Sequence, residues 1–131
     1  MRYCDGTGHQ GFKKTPAEYN GSKIWFRGHN VTKGQLDSVD KKFNMYSSAT
    51  HILVTGQSAG GLATFTWANH VKNKSPKETK VWAAPDSGVF LDSTNYVSKQ
   101  YNYRTIISNF MKLSNVEVGP PIYDCVMEYP H

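Results

Sequence analysis

His51-Ile52-Leu53-Val54-Thr55-Gly56-Gln57-Ser58-Ala59-Gly60-Gly61, followed by Leu62 to Val71, orders the chain as an apolar β-branched run, a glycine-flanked turn and a helix-compatible stretch. A Gly-x-Ser-x-Gly turn between a strand and a helix is the setting that a serine nucleophile elbow requires. Gly56 and Gly60 flank the serine where a β-carbon would obstruct a sharp reversal, so the hydroxyl of Ser58 can stand proud of the sheet on strained backbone. Ser58 is the first candidate for chemistry. The competing reading is that it simply caps the helix that follows.

Working outward, Val81-Trp82-Ala83-Ala84 gives a second buried-strand candidate, ending at Pro85-Asp86-Ser87-Gly88. A strand, a helix and a strand make a βαβ crossover, which predicts a parallel sheet and an α/β class. The helix over Leu62 to Lys72 places its N-terminus at the serine, so its unpaired N–H groups and its dipole face any negative charge developing there. Upstream, Ser22 to Gly28 reads as a short β run, and Val31, Leu36, Val39 and Phe43 share one face of a helix over Asn30 to Phe43, interrupted early by Gly34. Residues 1 to 21 read as a long loop, residues 93 to 114 as a helix of ill-marked start, and Val116 to His131 as irregular.

The chain has 131 residues, 38% hydrophobic and 19% charged, with eight Tyr, six Phe and three Trp. That mixture is too aromatic for a disordered chain. The length is enough for one domain with a moderate core but short for a complete α/β-hydrolase, so the expectation is a single truncated domain over 1–131. The net charge of +5 and pI near 9.2 come from scattered Lys and Arg. Lys13-Lys14, Lys41-Lys42 and Lys72-Lys74-Lys77-Lys80 are short clusters that read as solvated helix ends, not as a nucleic-acid footprint, and imply no more than a weak attraction to anionic polysaccharide. Cys4 and Cys125 sit near opposite ends, and they could pair with each other or with partners elsewhere; neither has a neighbour at zinc-ligand spacing. No run approaches the roughly 18 apolar residues of a membrane span, and the start has no signal-type apolar stretch. Asn20-Gly21-Ser22, Asn30-Val31-Thr32 and Asn73-Lys74-Ser75 are N-glycosylation sequons that tilt towards a secreted glycoprotein.

If Ser58 is a nucleophile it attacks an ester carbonyl, and the backbone N–H of Ala59 supplies one donor of the oxyanion hole, the second coming from a loop upstream. A serine needs a base. In α/β-hydrolases the acid and then the histidine follow the nucleophile, which leaves His70 and His131. His70 lies on a helix running away from the serine, and His131 is the last residue, so both read as surface or capping residues, as do His9, His29 and His51. Asp86 ends the strand after the nucleophile strand, close to where an acid or a substrate loop would lie. Bracing its own turn is the favoured role. Asp124 is not placed well enough for a role.

Tyr3-Cys4-Asp5-Gly6, Trp25-Phe26-Arg27-Gly28, Thr55 to Gly61 and Pro85 to Asp92 resemble, in that order, the blocks of the pectin acetylesterase family, which includes Notum-type carboxylesterases that remove a lipid acyl group from a secreted signalling protein. The resemblance implies a partial α/β-hydrolase-like three-layer fold with parallel strands and covering helices. It implies a secreted serine carboxylesterase that uses no cofactor or metal and hydrolyses O-acetyl esters on a polysaccharide such as pectin. By that resemblance Ser58 is the nucleophile, Ala59 the adjoining oxyanion donor, Gly56, Gly60 and Gly61 the elbow, and Asp86 an active-site neighbour that is not the triad acid. The family's glycine-rich oxyanion segment precedes the Tyr-Cys block, its triad aspartate and histidine follow the region of Cys125 and Pro130, and Gln57 stands where plant-type relatives often have cysteine. The isolated chain is accordingly expected to turn over almost no substrate. The alternatives are a Notum-like protein acyl-ester deacylase and a non-catalytic glycan-binding or degenerate hydrolase scaffold, in which Trp25, Trp67 and Trp82 would supply stacking platforms.

Overall fold

The computed structural model describes residues 1, 3–4 and 6–116. In chain order the elements are β1 (Ala17–Tyr19), β2 (Ser22–Ile24), α1 (Gly28–Phe43), α2 (Met45–Ser48), β3 (His51–Gln57), α3 (Ala59–Lys74), β4 (Lys80–Asp86) and α4 (Tyr103–Ser114).

β3 and β4 pair in parallel, in register from His51 opposite Lys80 to Gln57 opposite Asp86. The helix α3 connects them and packs on both strands, as a parallel pair requires. The class is therefore α/β, built here on one βαβ unit. Trp67 and Val71 of α3, at 3% and 2% exposure, form the centre of the core; Leu36 of α1, Tyr46 of α2 and Ala63 surround them, and Ile52, Val54 and Val81 reach in from the sheet. Burial of Trp67 is tied to a polar bond, because its indole Nε1–H donates to the carbonyl of His9 at 3.2 Å and so pins the N-terminal loop to the core.

Both apolar strand runs were expected to be buried, and only part of each is. Along β3 the side chains alternate between partly covered and open. Ile52 and Val54 face the core, whereas Leu53 is 60% and Trp82 50% exposed. Among the described residues the helices cover one face of the pair, so the open face shows the alternation of a strand covered on one side.

Other differences have local causes. β1 falls inside the stretch read as loop and pairs with β2 as an antiparallel hairpin. Its turn is Asn20-Gly21, both with positive φ (48° and 75°), as the favoured two-residue hairpin turn requires. Gly34 does not interrupt α1, which runs unbroken to a left-handed cap at Asn44. Helix α4 starts only at Tyr103 because Asn95 captures the backbone before it: the Asn95 carboxamide oxygen accepts from the N–H groups of Val97 and Ser98, both at 2.9 Å. Such side-chain bonds compete with the helical ladder.

Candidate active site

Ser58 joins β3 to α3 with φ 54° and ψ −112°, a backbone state that L-residues with a β-carbon rarely occupy. Two bonds hold it there. The Ser58 N–H donates to the carbonyl of Asp86 at 3.0 Å, and its own carbonyl accepts from the Leu62 N–H at 2.9 Å. The Ser58 side chain makes no capping bond to the helix and is exposed. A capping serine would bend its oxygen back onto the N–H groups of the first turn. This one does not. Because the ladder opens with the bond from Leu62, the N–H groups of Ala59, Gly60 and Gly61 precede it, at the positive end of a 16-residue helix.

The neighbouring glycines divide the work differently from the sequence expectation. A β-carbon on Gly56 would sit 2.6 Å from the backbone of Gly60, and one on Gly61 would sit 2.5 Å from the Asp86 carbonyl and 2.8 Å from Gly88 Cα. Gly60 has open space where its β-carbon would be. The obstruction argument therefore holds for Gly56 and is corrected for Gly60, whose backbone is the obstacle and whose own side-chain position is empty. The tight packing partner of the helix is the Asp86–Gly88 turn, met by Gly61.

Ser58 lines a cavity of about 490 Å³ together with Gly56, Ala59 and Gly60 from the elbow, Trp67 from α3, Thr32 from α1, and Tyr3 and His9 from the N-terminal loop. His9 is fixed in place. Its φ is 63°, its Nδ1 lies 3.0 Å from the Thr32 hydroxyl, and its ring packs 4.9 Å from that of Tyr3. The sequence reading passed over His9 as a surface residue. Only the Gly6-Thr7-Gly8 run just before it hints at a loop folded for a close approach, and Gly8 indeed packs over Ala59 and Leu62.

Asp86 contributes through its backbone, while its carboxylate accepts a bond from the Ser87 hydroxyl at 3.0 Å. It is not on the wall of the Ser58 cavity. His70 is also off that wall. Its Nε2 is buried with no hydrogen-bond partner, and burial first, then the Lys74 ammonium, pushes its pKa down. His29 packs between Phe12 and Trp67, and His51 stacks on Trp82 on the open sheet face. Cys125, Asp124 and His131 lie outside the described residues; Cys4 is exposed. Among the described residues no three His, Cys, Asp or Glu side chains cluster as metal ligands, and no helix is long and apolar enough to cross a membrane.

Comparison with known proteins converges on one family. A family model described as pectinacetylesterase matches residues 1–129. Pectin acetylesterase 5 of Arabidopsis thaliana is 30% identical over 118 residues, covering 89% of this chain and 26% of that protein. Pectin acetylesterase 11 of the same plant is 31% identical over 101 residues, covering 77% of the chain and 25% of the relative. Pectin acetylesterase 4 is 32% identical over 93 residues, 70% and 22% respectively. The chain thus spans about a quarter of the length of these relatives.

Proposed function

Because the chain belongs to the pectinacetylesterase family, we propose that it carries the nucleophile of a serine carboxylesterase, with Ser58 attacking the carbonyl carbon of an O-acetyl ester on a polysaccharide. One observation carries this: Ser58 sits at positive φ between strand and helix, its hydroxyl bound to no helix N–H and bordering a cavity. The strain is informative because a relaxed loop would hold a capping serine equally well. Attack by the Ser58 Oγ, whose proton passes to the base, forms a tetrahedral oxyanion that collapses to the Oγ-acetyl ester of Ser58, and the Ala59 N–H at the start of α3 donates to the oxyanion. The alcohol leaves with a proton and water then releases acetate.

The three-layer hydrolase arrangement, of which β3, α3 and β4 would be one repeat, belongs to the same proposal. So does a secreted location, supported by the three sequons. By family resemblance the triad acid and base come from residues beyond the matched stretch, so the activity is that of the whole protein. Losing the base lowers serine hydrolase rates by several orders of magnitude.

A fluorophosphonate probe tests the assignment. The full-length protein is expected to be labelled, and Ser58→Ala to abolish the label. A full-length protein that stays unlabelled, or is labelled equally after the substitution, removes the esterase role and leaves a non-catalytic glycan-binding scaffold.

A further inference from the structure

The three sequons read alike in the sequence, and the fold separates them. Asn30 lies in the first turn of α1, where its sequon threonine, Thr32, is 1% exposed and bonded to the His9 ring. Asn73 lies in the last turn of α3, and the hydroxyl of its Ser75 donates to the Val71 carbonyl at 2.8 Å. Asn20 alone of the three sits outside a helix, at the tip of the β1–β2 hairpin, with Tyr19, Asn20 and Ser22 all exposed. We infer that Asn20 is an N-glycan acceptor, and that the first N-acetylglucosamine of its glycan packs on the ring of Tyr19 and fastens the hairpin. The inference rests on the secreted location proposed above, since only that route meets the glycan donor.

The geometry of the turn carries it. Tyr19 and Ser22 are direct partners across the antiparallel pair, so their side chains rise on the same face, one on each side of the two-residue turn. Between them Asn20 has φ 48° and Gly21 φ 75°, the left-handed pair of a tight hairpin. A sugar on Asn20 therefore begins one residue from the Tyr19 ring. That ring is open: Tyr19 is 67% exposed, and among the described residues it enters none of the ring-stacking or cation–π contacts. An aromatic face of this kind accepts the C–H face of a sugar. The contact has leverage because β1 and β2 are three residues each and form a sheet of two strands, an arrangement that is marginal in water without added packing. Neither Tyr19 nor Asn20 lines the Ser58 cavity, so a glycan there leaves the cavity open. The transfer joins the Asn20 carboxamide nitrogen to C1 of the reducing-end N-acetylglucosamine of a lipid-pyrophosphate-linked oligosaccharide. The C1–O bond to the pyrophosphate breaks, the lipid pyrophosphate leaves, and the nitrogen loses one proton to a base of the transferase.

The test sends the full-length protein through a eukaryotic secretory pathway on a heterologous leader and reads Asn20 occupancy by peptide mass spectrometry on all of the protein, retained or exported. A glycan is expected on Asn20 and is expected to vanish in Ser22→Ala. The glycans are then trimmed to a single N-acetylglucosamine, and hydrogen exchange is followed in the peptide covering residues 17–24, where it reports local opening of the hairpin. The sugar is expected to slow exchange there by roughly two- to tenfold relative to Asn20→Gln, the span that a stacking contact of an aromatic ring is worth. The same comparison made in a Tyr19→Ala background is expected to give no slowing. An unmodified Asn20 overturns the inference. So does a sugar that gives no protection, or one whose protection persists without the Tyr19 ring. If the leader-borne protein carries the glycan while the native protein stays in the cytosol, the secreted location falls and the acceptor turn stands.

Discussion

At Ser58 the chain holds a serine in a conformation that the isolated residue avoids, and the cost is met by two backbone bonds and two glycine contacts. The contacts make opposite predictions for adjacent residues. Gly61→Ala should destabilise the fold by roughly 1–3 kcal/mol, since its methyl would be forced against the Asp86 carbonyl and Gly88, a case of overpacking. Gly60→Ala should be neutral or stabilising by up to about 1 kcal/mol, because its methyl meets open space and alanine is the better helix former. Urea unfolding of the two variants separates them, and equal losses would mean that the helix does not approach the 86–88 turn as described. The serine and its helix were legible because strand, glycines and helix are contiguous in sequence. The partner of Gly61 was not, since Gly88 reaches it only once β4 has folded alongside β3. His9 escaped for the same reason: its neighbour Thr32 belongs to another element.

At the scale of elements, α3 does most of the packing, and it carries one titratable group inward. His70 has its pKa lowered, chiefly by burial, with Lys74, Lys33 and His29 acting in the same direction and Asp37 opposing. A histidine whose folded pKa is depressed leaves stability intact above its unfolded pKa of about 6.5; as the pH falls from there the unfolded chain takes up the proton first, and stability is lost. The melting temperature should therefore fall between about pH 7 and the lower folded pKa, and His70→Gln should flatten that slope. A slope unchanged by the substitution would place its origin elsewhere. Trp67 gives a second prediction on the same helix. Trp67→Ala should cost about 3–5 kcal/mol, because the residue is 3% exposed at the centre of the core, and it also releases the loop carrying His9. Helices α1, α3 and α4 and the parallel pair were readable from apolar spacing, whereas the four-residue α2 was not. The β1–β2 hairpin was readable too, from Asn20-Gly21, but a polar, glycine-rich neighbourhood masked three-residue strands. The late start of α4 depends on Asn95 bonding its own turn, which no periodicity reveals.

Across the whole molecule, one side of the β3–β4 sheet is core and the other presents Leu53 and Trp82 to solvent. In the 131-residue chain, iodide should quench Trp25 and Trp82, at 47% and 50% exposure, and spare Trp67 at 3%, as single-tryptophan variants would show by fluorescence. An open apolar sheet face also favours contact between molecules, so Leu53→Lys should reduce concentration-dependent self-association in sedimentation velocity without lowering the melting temperature. The sequence reading makes both apolar runs buried-strand candidates; a run of that kind records how much cover a strand can accept, not how much a given stretch of chain provides. The bond from Ser58 to the Asp86 carbonyl has one more consequence, in time instead of space. The bond can form only after residue 86 has arrived alongside the turn. While the polypeptide is still emerging from the ribosome and residue 86 has not been made, the turn at position 58 lacks one of the two backbone bonds that hold it.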